Sequence, residues 1–441
     1  MTQELRFEIT HRYEGIDISD AEFQRLLDAA TWKTQPVFLR RGRVARHLLS
    51  EPASLAADPH RILDVAKLKG VGVYDPASMG RYRDKILDSF SDEPLPPTTK
   101  PLESFATYPH VGISKEGDFC FAYGGMAPVG GILHERALRE FRTAQILHEH
   151  GVPTIIPLVV IRYLDLDFQG EPMGAVITLS SEPAPYRLSQ VQYIAGTQRG
   201  KDKNTDAYYD KVLSTLGIEG DYATEVPRLE ALRILAKDVG KIVHDFSAAG
   251  LYRHSSEWSN FEFDFKRKEI FLTDLDSVRE SNELSGDLQA LQALRDVGTT
   301  VYRLLSKFST PTALGQYSIK NLLKYDPLKA CIAGYFPHAP MERVQAISKK
   351  LWAAYIPHLC LLKKHKESII SGWDHERRKS YKMDHDLFYV LSMILLVSTF
   401  QESDLGKLYP SDLTEQTLRE KAEAFLGERY EYLEYLLQDS I

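Results

Sequence analysis

The sequence has little cysteine, no block of basic residues and no long apolar run, and each absence excludes a class of protein. Its three cysteines (Cys120, Cys331 and Cys360) form neither a CxxC pair nor a disulfide framework, which predicts a reducing, cytoplasmic location. The chain carries 54 lysines and arginines against 61 aspartates and glutamates, so no nucleic-acid partner is expected. The longest apolar run, 387–400, is shorter than the ~20 residues of a membrane span and predicts a buried helix instead. No secretory signal is visible, so no membrane partner is expected.

The remaining pattern changes along the 441 residues from strand-like to helical. Runs rich in β-branched and aromatic residues predict strands in the first half at 36–40, 44–49, 61–69, 118–123, 154–164 and 173–179. A single helix is expected among them over 133–151, ended by Gly151. In the second half, three- and four-residue periodicity predicts helices over 227–250, 287–307, 341–364, 382–400 and 414–438. Asp412 and Glu415 have the spacing of a capping box before the last of these. Two short strands, 261–265 and 269–275, predict a hairpin between the first two helices.

A small β-rich lobe with one helix, followed by a helical lobe with one hairpin, is typical of a protein-kinase-like fold. The sequence therefore predicts an α+β, bilobal kinase-like protein. The N-lobe is expected over 1–180, with an insertion at about 73–130. The core of the C-lobe is expected over 181–310, and a helical extension over 311–441.

Two residues near the predicted hairpin have the spacing of metal ligands. Asn260 lies ten residues after Gly250, the interval found in the catalytic loop of kinases, and Asp274 follows fourteen residues later. Both side chains offer the oxygen ligands that Mg²⁺ prefers. Either residue alone would be interpreted as a turn residue or a strand-end acid. Together they predict a metal site for Mg²⁺-ATP.

The catalytic carboxylate of kinases is missing from the corresponding loop. Arg253, His254 and Ser255 stand where the kinase His-Arg-Asp sequence belongs, so Glu257 or His254 is at best a displaced general base. Asp296, on the next helix, is interpreted either as the buried acid that supports this loop or as a solvated helix residue.

A lysine that holds phosphate groups has two candidates on one strand. Lys67 and Lys69 share a face because side chains alternate along a strand. The carboxylate that would hold the lysine is Glu140 or Glu135, both on the predicted helix, and any of these charges could instead lie at the surface.

In this order, several segments resemble motifs of the selenoprotein O family. That family's pattern includes LKGAG, REF with GIPTT, GAVLTR, IRFG with FQYF, GFVHGVMNTDN and LTIDYG. The matching segments of this chain are 67–72, 139–141, 150–154, 174–178, 186–193, 250–260 and 272–275.

The resemblance implies a kinase-like fold that binds ATP in the reversed orientation, so that AMP rather than phosphate is transferred to protein hydroxyls. It also implies roles for individual residues. Lys69 and Glu140 would form the pair that holds phosphate, Asn260 and Asp274 would bind Mg²⁺, and Arg187 would contact the far phosphates.

Several positions depart from the family pattern. The glycine-rich loop is reduced to Gly42 between two arginines, of which Arg43 could add charge at the phosphates. Leu179 and Ser259 replace an Arg and an Asp of the family pattern. The leading hypothesis is an ATP- and Mg²⁺-dependent nucleotidyltransferase with an unknown protein or small-molecule acceptor. The alternatives are a kinase-like phosphotransferase and an inactive pseudokinase that serves as a binding module.

Overall fold

The computed structural model divides the chain into two compact units. It describes residues 4–39, 44–74, 94–102, 110–122, 126–181, 186–188, 203–253, 258–308, 317–365, 375–408 and 411–438. The sheet unit consists of Met1–Thr107, Gly124–Pro185 and Phe271–Val278. The helical unit consists of Tyr108–Tyr123, Tyr186–Ile270 and Arg279–Ile441. The protein is therefore of mixed α and β class, and each unit is discontinuous in sequence.

Strands and helices alternate in the first part of the chain, and helices dominate the second. The strands are β1 (Phe7–Arg12), β2 (Ile16–Asp17), β3 (Val44–Leu55), β4 (Asp58–Lys69), β5 (Pro101–Leu102), β6 (His110–Ile113), β7 (Phe119–Ala122), β8 (Ala127–Pro128), β9 (Ile132–Leu133), β10 (Ile156–Phe168), β11 (Glu171–Ser180), β12 (Leu251–Tyr252), β13 (Phe261–Asp264), β14 (Glu269–Leu272) and β15 (Arg279–Glu280). The helices are α1 (Asp20–Ala30), α2 (His134–Glu149), α3 (Lys203–Thr215), α4 (Glu225–Ala248), α5 (Gly286–Phe308), α6 (Ile319–Tyr325), α7 (Pro327–Tyr335), α8 (Met341–His365), α9 (His375–Glu402), α10 (Asp404–Leu408), α11 (Glu415–Leu426) and α12 (Tyr430–Gln438).

The sheet unit is built on a seven-stranded antiparallel sheet. The strand order is β1-β10-β11-β4-β3-β2, and β9 pairs with β11 off this path. The central strands β10 and β11 are buried over most of their length. Near-continuous apolar strands of this kind are expected where both faces of a sheet are covered.

Among the described residues of the sheet unit, the helices α1 and α2 pack against different side-chain sets of the central strands. Phe23 and Leu26 of α1 belong to the core cluster that contains Ile161 and Ile177. Phe141 of α2 belongs to a second cluster, with Ala137, Ile132, Val160 and Val176. Because successive side chains of a strand point to opposite faces, the two clusters lie on opposite sides of the sheet. This division sets which residues of β4 face α2.

The predicted helix over 133–151 is confirmed as α2, and Gly151 after it has φ +71°. The prediction that this was the single helix among the strands is wrong, because α1 begins after Ser19, whose hydroxyl accepts the N–H of Glu22. The strand predicted over 36–40 is also wrong within the described part, 36–39. Val37 has one backbone hydrogen bond to Arg46, and its own N–H donates to the His47 ring, so no ladder forms there.

His47 is buried in β3 and gives the sheet unit a predicted pH dependence. The pKa of His47 is lowered to about 4, chiefly by burial and also by the charge of Arg25, while Glu22 opposes the change. Above pH 6.5 the His47 ring is neutral in both the folded and the unfolded state, so its titration does not reduce the free energy of unfolding. Below pH 6.5 the His47 ring becomes protonated in the unfolded chain but stays neutral in the folded chain. The free energy of unfolding should then fall by about 1.4 kcal/mol per pH unit until pH reaches about 4.

His47→Gln removes the titrating ring and keeps an acceptor for the N–H of Val37. We expect urea unfolding of the wild type between pH 7 and 4.5 to lose about 2 to 3 kcal/mol more than unfolding of this variant. Parallel pH profiles for the two proteins would contradict the assignment.

The helical unit contains a close crossing of α4 and α7. In α4 a Cβ on Gly240 would lie 2.0 Å from the carbonyl oxygen of Cys331, and in α7 a Cβ on Gly334 would lie 2.0 Å from that of Lys237. Only glycine permits these backbones to approach so closely. The predicted hairpin is confirmed as β13 and β14, and Asp264 accepts the N–H groups of the turn that follows it.

The C-terminal helices differ from the prediction in detail. The helix predicted over 414–438 divides into α11 and α12 at Gly427. Its capping box consists of Thr414 and Thr417, so the assignment to Asp412 and Glu415 is wrong. A threonine hydroxyl at the N-cap accepts the N–H three residues on, which an acid two residues earlier cannot do. The run 387–400 is confirmed as buried helix. In the described ranges no helix has both the length and the apolar character needed to cross a membrane.

Candidate functional site

The position of Lys69 follows from the register of the sheet. Lys69 is the last residue of β4 and pairs directly with Val176 of β11. Directly opposed residues of antiparallel strands point to the same face. Because Val176 packs with Phe141 of α2, Lys69 also points toward α2. The sheet register thus directs this lysine toward the helix that carries Glu140.

Lys69 is surrounded by three carboxylates within the sheet unit. Its Nζ lies 2.5 Å from Oε2 of Glu140, 2.5 Å from Oδ1 of Asp274 and 3.5 Å from Oδ2 of Asp276. The Lys69 and Glu140 side chains are only 13% and 5% exposed. The structure therefore brings together three of the residues selected from the sequence, and adds Asp276.

The two alternative residues have other partners. The Nζ of Lys67 lies 5.0 Å from the centroid of the Phe271 ring, and the residue is buried. Glu135 is 68% exposed and pairs with Arg139 one turn along the same helix. Of the two candidate lysines and two candidate glutamates, Lys69 and Glu140 are therefore the ones that form the ion pair.

Asp274 has an unusual backbone conformation on a well-anchored segment. Its φ is +64°, in the left-handed region that few residues other than glycine adopt. Two residues before it, Leu272 donates its N–H to the carbonyl of Pro153, and its own carbonyl accepts the N–H of Ile155. Leu275 after it is fully buried. Such a conformation persists where surrounding contacts impose it, and it is frequent at functional sites.

The charges of this group are unbalanced even when Arg136 beside Asp276 is counted, since two cations stand among three carboxylates. Burial alone would lower the pKa of Lys69, but the attraction of Asp274, Asp276 and Glu140 outweighs burial and raises it. Burial raises the pKa of Glu140, and the negative charges of Asp276 and Asp274 add to this effect against the attraction of Lys69. Lys69 is thus charged at neutral pH, and the surplus negative charge favours a further cation.

The carboxylates could themselves hold such a cation. Glu140, Asp274 and Asp276 each offer one oxygen, and these oxygens lie within 4.8 Å of one another. Hard carboxylate oxygens suit Mg²⁺, which usually takes one or two carboxylates and completes its shell with water and phosphate. The donor set therefore fits Mg²⁺ bound together with a nucleotide.

The other candidates lie in the helical unit. Asn260 ends a 3-10 turn, Trp258–Asn260, directly before β13. The Nε of Arg187 lies 3.4 Å from Oε1 of Glu262, whose side chain is only 2% exposed. Arg187 is thus held beside the strand that begins after Asn260.

Asp296 supports the loop that follows β12. Its side chain is fully buried, and Oδ2 accepts the backbone N–H of Arg253 at 2.7 Å. Oδ1 of Asp296 accepts a hydrogen bond from Nη1 of Arg295 at 2.9 Å. Arg253 has φ +70°, so this hydrogen bond fixes a residue in a strained conformation. The interpretation of Asp296 as a buried, supporting acid is confirmed, and the solvated alternative is wrong.

Four predicted residues lie outside the described ranges. They are Gly42, Arg43, His254 and Glu257. Leu179, which stands where the selenoprotein O pattern has arginine, is fully buried in the cluster around α1.

Sequence reasoning missed the role of Arg136 and Asp276. The Nε of Arg136 lies 3.6 Å from Oδ2 of Asp276. The available signals were the spacing of Arg136, Arg139 and Glu140, which places them on one face of a helix, and a second acid two residues after Asp274.

Comparison with known proteins gives little guidance. No protein-family model matches the chain, and no curated protein matches it. Among solved structures the chain is similar to "WaaP in complex with acyl carrier protein", at 14% identity and a TM-score of 0.31, over 57% of this chain and 88% of that one. A similarity of this size is too weak to support an inference about fold or activity.

Proposed function

We propose that the chain has a protein-kinase-like fold and is an ATP- and Mg²⁺-dependent nucleotidyltransferase that transfers AMP to an acceptor. The observation that carries the proposal is the buried Lys69, whose Nζ is shared by Glu140 and Asp274. Nucleotide chemistry of this kind needs a lysine for phosphates, a carboxylate to hold the lysine and an acid for the metal. The ordered resemblance to selenoprotein O motifs supports the same roles.

Each residue of the sheet unit has a distinct task in this proposal. Glu140 orients the Lys69 ammonium, which would bind phosphate oxygens, and Asp274 would hold Mg²⁺. Bound Mg²⁺ would neutralise the triphosphate. Burial strengthens the contact of Lys69 with Glu140 because the local dielectric constant is low, whereas the Asp274 side chain is 42% exposed and accessible to a ligand. Contacts on both sides of Asp274 fix its backbone, so only its side chain needs to rotate on binding.

Two residues of the helical unit complete the proposal. Asn260 is the companion metal ligand, since it offers the amide oxygen at the interval of a kinase catalytic loop. Arg187 stabilises the outgoing pyrophosphate, and the buried Glu262 holds its guanidinium in place. The acceptor is a hydroxyl of a protein or of a small molecule.

Phosphoryl transfer is the second candidate, because Lys69, Glu140 and Asp274 would serve either direction of ATP binding equally well. The absence of an acid at Ser255 favours AMP transfer. Transfer of the γ-phosphoryl group, as in protein kinases, would lack a general base that typically contributes roughly 10²- to 10⁴-fold to the rate. The buried Leu179 favours the third candidate, an inactive nucleotide-binding module, because the family's arginine is replaced there by a core residue.

Labelled ATP separates these candidates. The intact protein is incubated with Mg²⁺ and ATP labelled at the α or the γ phosphate, with candidate acceptors present. We expect label to be retained on protein or acceptor from the α position only. Retention from γ only would establish a kinase in its place. Binding of Mg²⁺-ATP without retention from either position would favour the inactive module.

A further inference from the structure

The segment that carries Asp274 is fastened to α2 by contacts that do not involve Lys69. Oδ2 of Asp276 lies 3.6 Å from Nε of Arg136, and the backbone carbonyl of Asp276 accepts a hydrogen bond from Nη1 of Arg139 at 3.2 Å. The Asp276 side chain is 15% exposed, so its ion pair is partly shielded from water. Asp276 is therefore bound to α2 through its side chain, by Arg136, and through its backbone, by Arg139.

These contacts come from the same helix that positions Lys69. Arg136, Arg139 and Glu140 are spaced three and four residues apart, so they share one face of α2. One face of α2 therefore holds Lys69 through Glu140. The same face holds the segment Phe271–Val278, which carries Asp274, through Arg136 and Arg139.

Anchors on both sides of Asp274 explain how its conformation is maintained. On the N-terminal side, Leu272 exchanges backbone hydrogen bonds with Pro153 and Ile155. On the C-terminal side, Asp276 is held by α2. Aspartate is one of the few non-glycine residues that tolerates a φ of +64°, and these contacts on both sides hold Asp274 there.

We propose that Asp276 is a positioning residue that, with Arg136, holds Asp274 and Lys69 in the arrangement that binds Mg²⁺-ATP. This inference rests on the proposed function, because it assigns Asp276 a task at the same site. Asp276 does so by fixing the segment to α2 and by adding a third carboxylate beside Lys69. In this role the Asp276 carboxylate stays with Arg136, and Asp274 is the residue of the segment that binds the metal.

The first test needs no ligand and measures hydrogen exchange in the segment Phe271–Val278 of the intact protein. Asp276→Asn and Arg136→Gln each remove the ion pair, and we expect each to speed amide exchange there by about tenfold. The double variant should exchange no faster than Asp276→Asn alone, because that single change already removes the ion pair with Arg136. Arg136→Lys should restore most of the protection. Arg142→Gln is the matched control, since Arg142 is exposed on the same helix.

The second test measures Mg²⁺-ATP affinity of the same variants by calorimetry at several Mg²⁺ concentrations. We expect Asp276→Asn and Arg136→Gln to weaken binding by a similar factor, about tenfold, and Arg136→Lys to recover it. Unchanged exchange in either single variant would overturn the proposal. Weaker binding by Asp276→Asn with unchanged exchange would also overturn it, since Asp276 would then act on the ligand directly. If the wild type binds no Mg²⁺-ATP, the proposed function fails, and the exchange data alone decide whether Asp276 anchors the segment.

Discussion

Replacing Asp274 with asparagine is expected to weaken Mg²⁺-dependent ATP binding and turnover by about a hundredfold or more, because the site loses the charged oxygen proposed to bind the metal. Asparagine is the appropriate substitution, since asparagine and aspartate are both tolerated at a positive φ. The backbone of the segment should therefore survive the change. Calorimetry with ATP, with and without Mg²⁺, measures the effect directly.

Asp17→Asn serves as the matched control, because Asp17 is an exposed strand residue of the same unit. Both variants should unfold at nearly the wild-type temperature, and only Asp274→Asn should lose affinity for Mg²⁺-ATP. Wild-type affinity and turnover in a folded Asp274→Asn protein would show that the metal assignment is wrong.

Replacing Lys69 with methionine is expected to reduce turnover by about a hundredfold or more, since the ammonium that would stabilise the phosphate charge is lost. Methionine retains most of the apolar stem, so the change is mainly electrostatic. Glu140, Asp274 and Asp276 would then be left without their shared cation, and repulsion among them should lower the unfolding temperature at neutral pH.

Lys67→Met tests this assignment from the neighbouring position on the same face. Lys67 packs over Phe271 and has no assigned contact with phosphate, so its variant should keep nucleotide affinity at temperatures where it is folded. Loss of ATP binding in Lys67→Met together with wild-type binding in Lys69→Met would reverse the roles of the two lysines. Steady-state kinetics and thermal unfolding of both variants distinguish these outcomes.

The pairing of Lys69 with Glu140 could be reached from the sequence because both residues lie in regular elements. Side-chain alternation in β4 placed Lys67 and Lys69 on one face, and the motif resemblance selected Lys69. What the sequence could not supply was the register that opposes Lys69 to Val176, which determines that this face is the one covered by α2.

Asp276 and Arg136 escaped sequence reasoning for a physical reason. Their ion pair joins residues that are far apart in the chain, and neither has a local pattern that distinguishes it from a surface charge. The strand predicted over 36–40 failed for a different reason. Its β-branched and aromatic residues suit a strand, but strand propensity depends on pairing, and the N–H of Val37 is used by the His47 ring.

The most direct test of the account is a crystal structure of the intact protein with Mg²⁺ and a non-hydrolysable ATP analogue. We expect Nζ of Lys69 to lie within about 4 Å of a phosphate oxygen while keeping its contact with Glu140, and the Asp274 carboxylate to have moved from Lys69 to the metal. A nucleotide bound elsewhere, with Nζ of Lys69 still shared between Glu140 and Asp274, would contradict it.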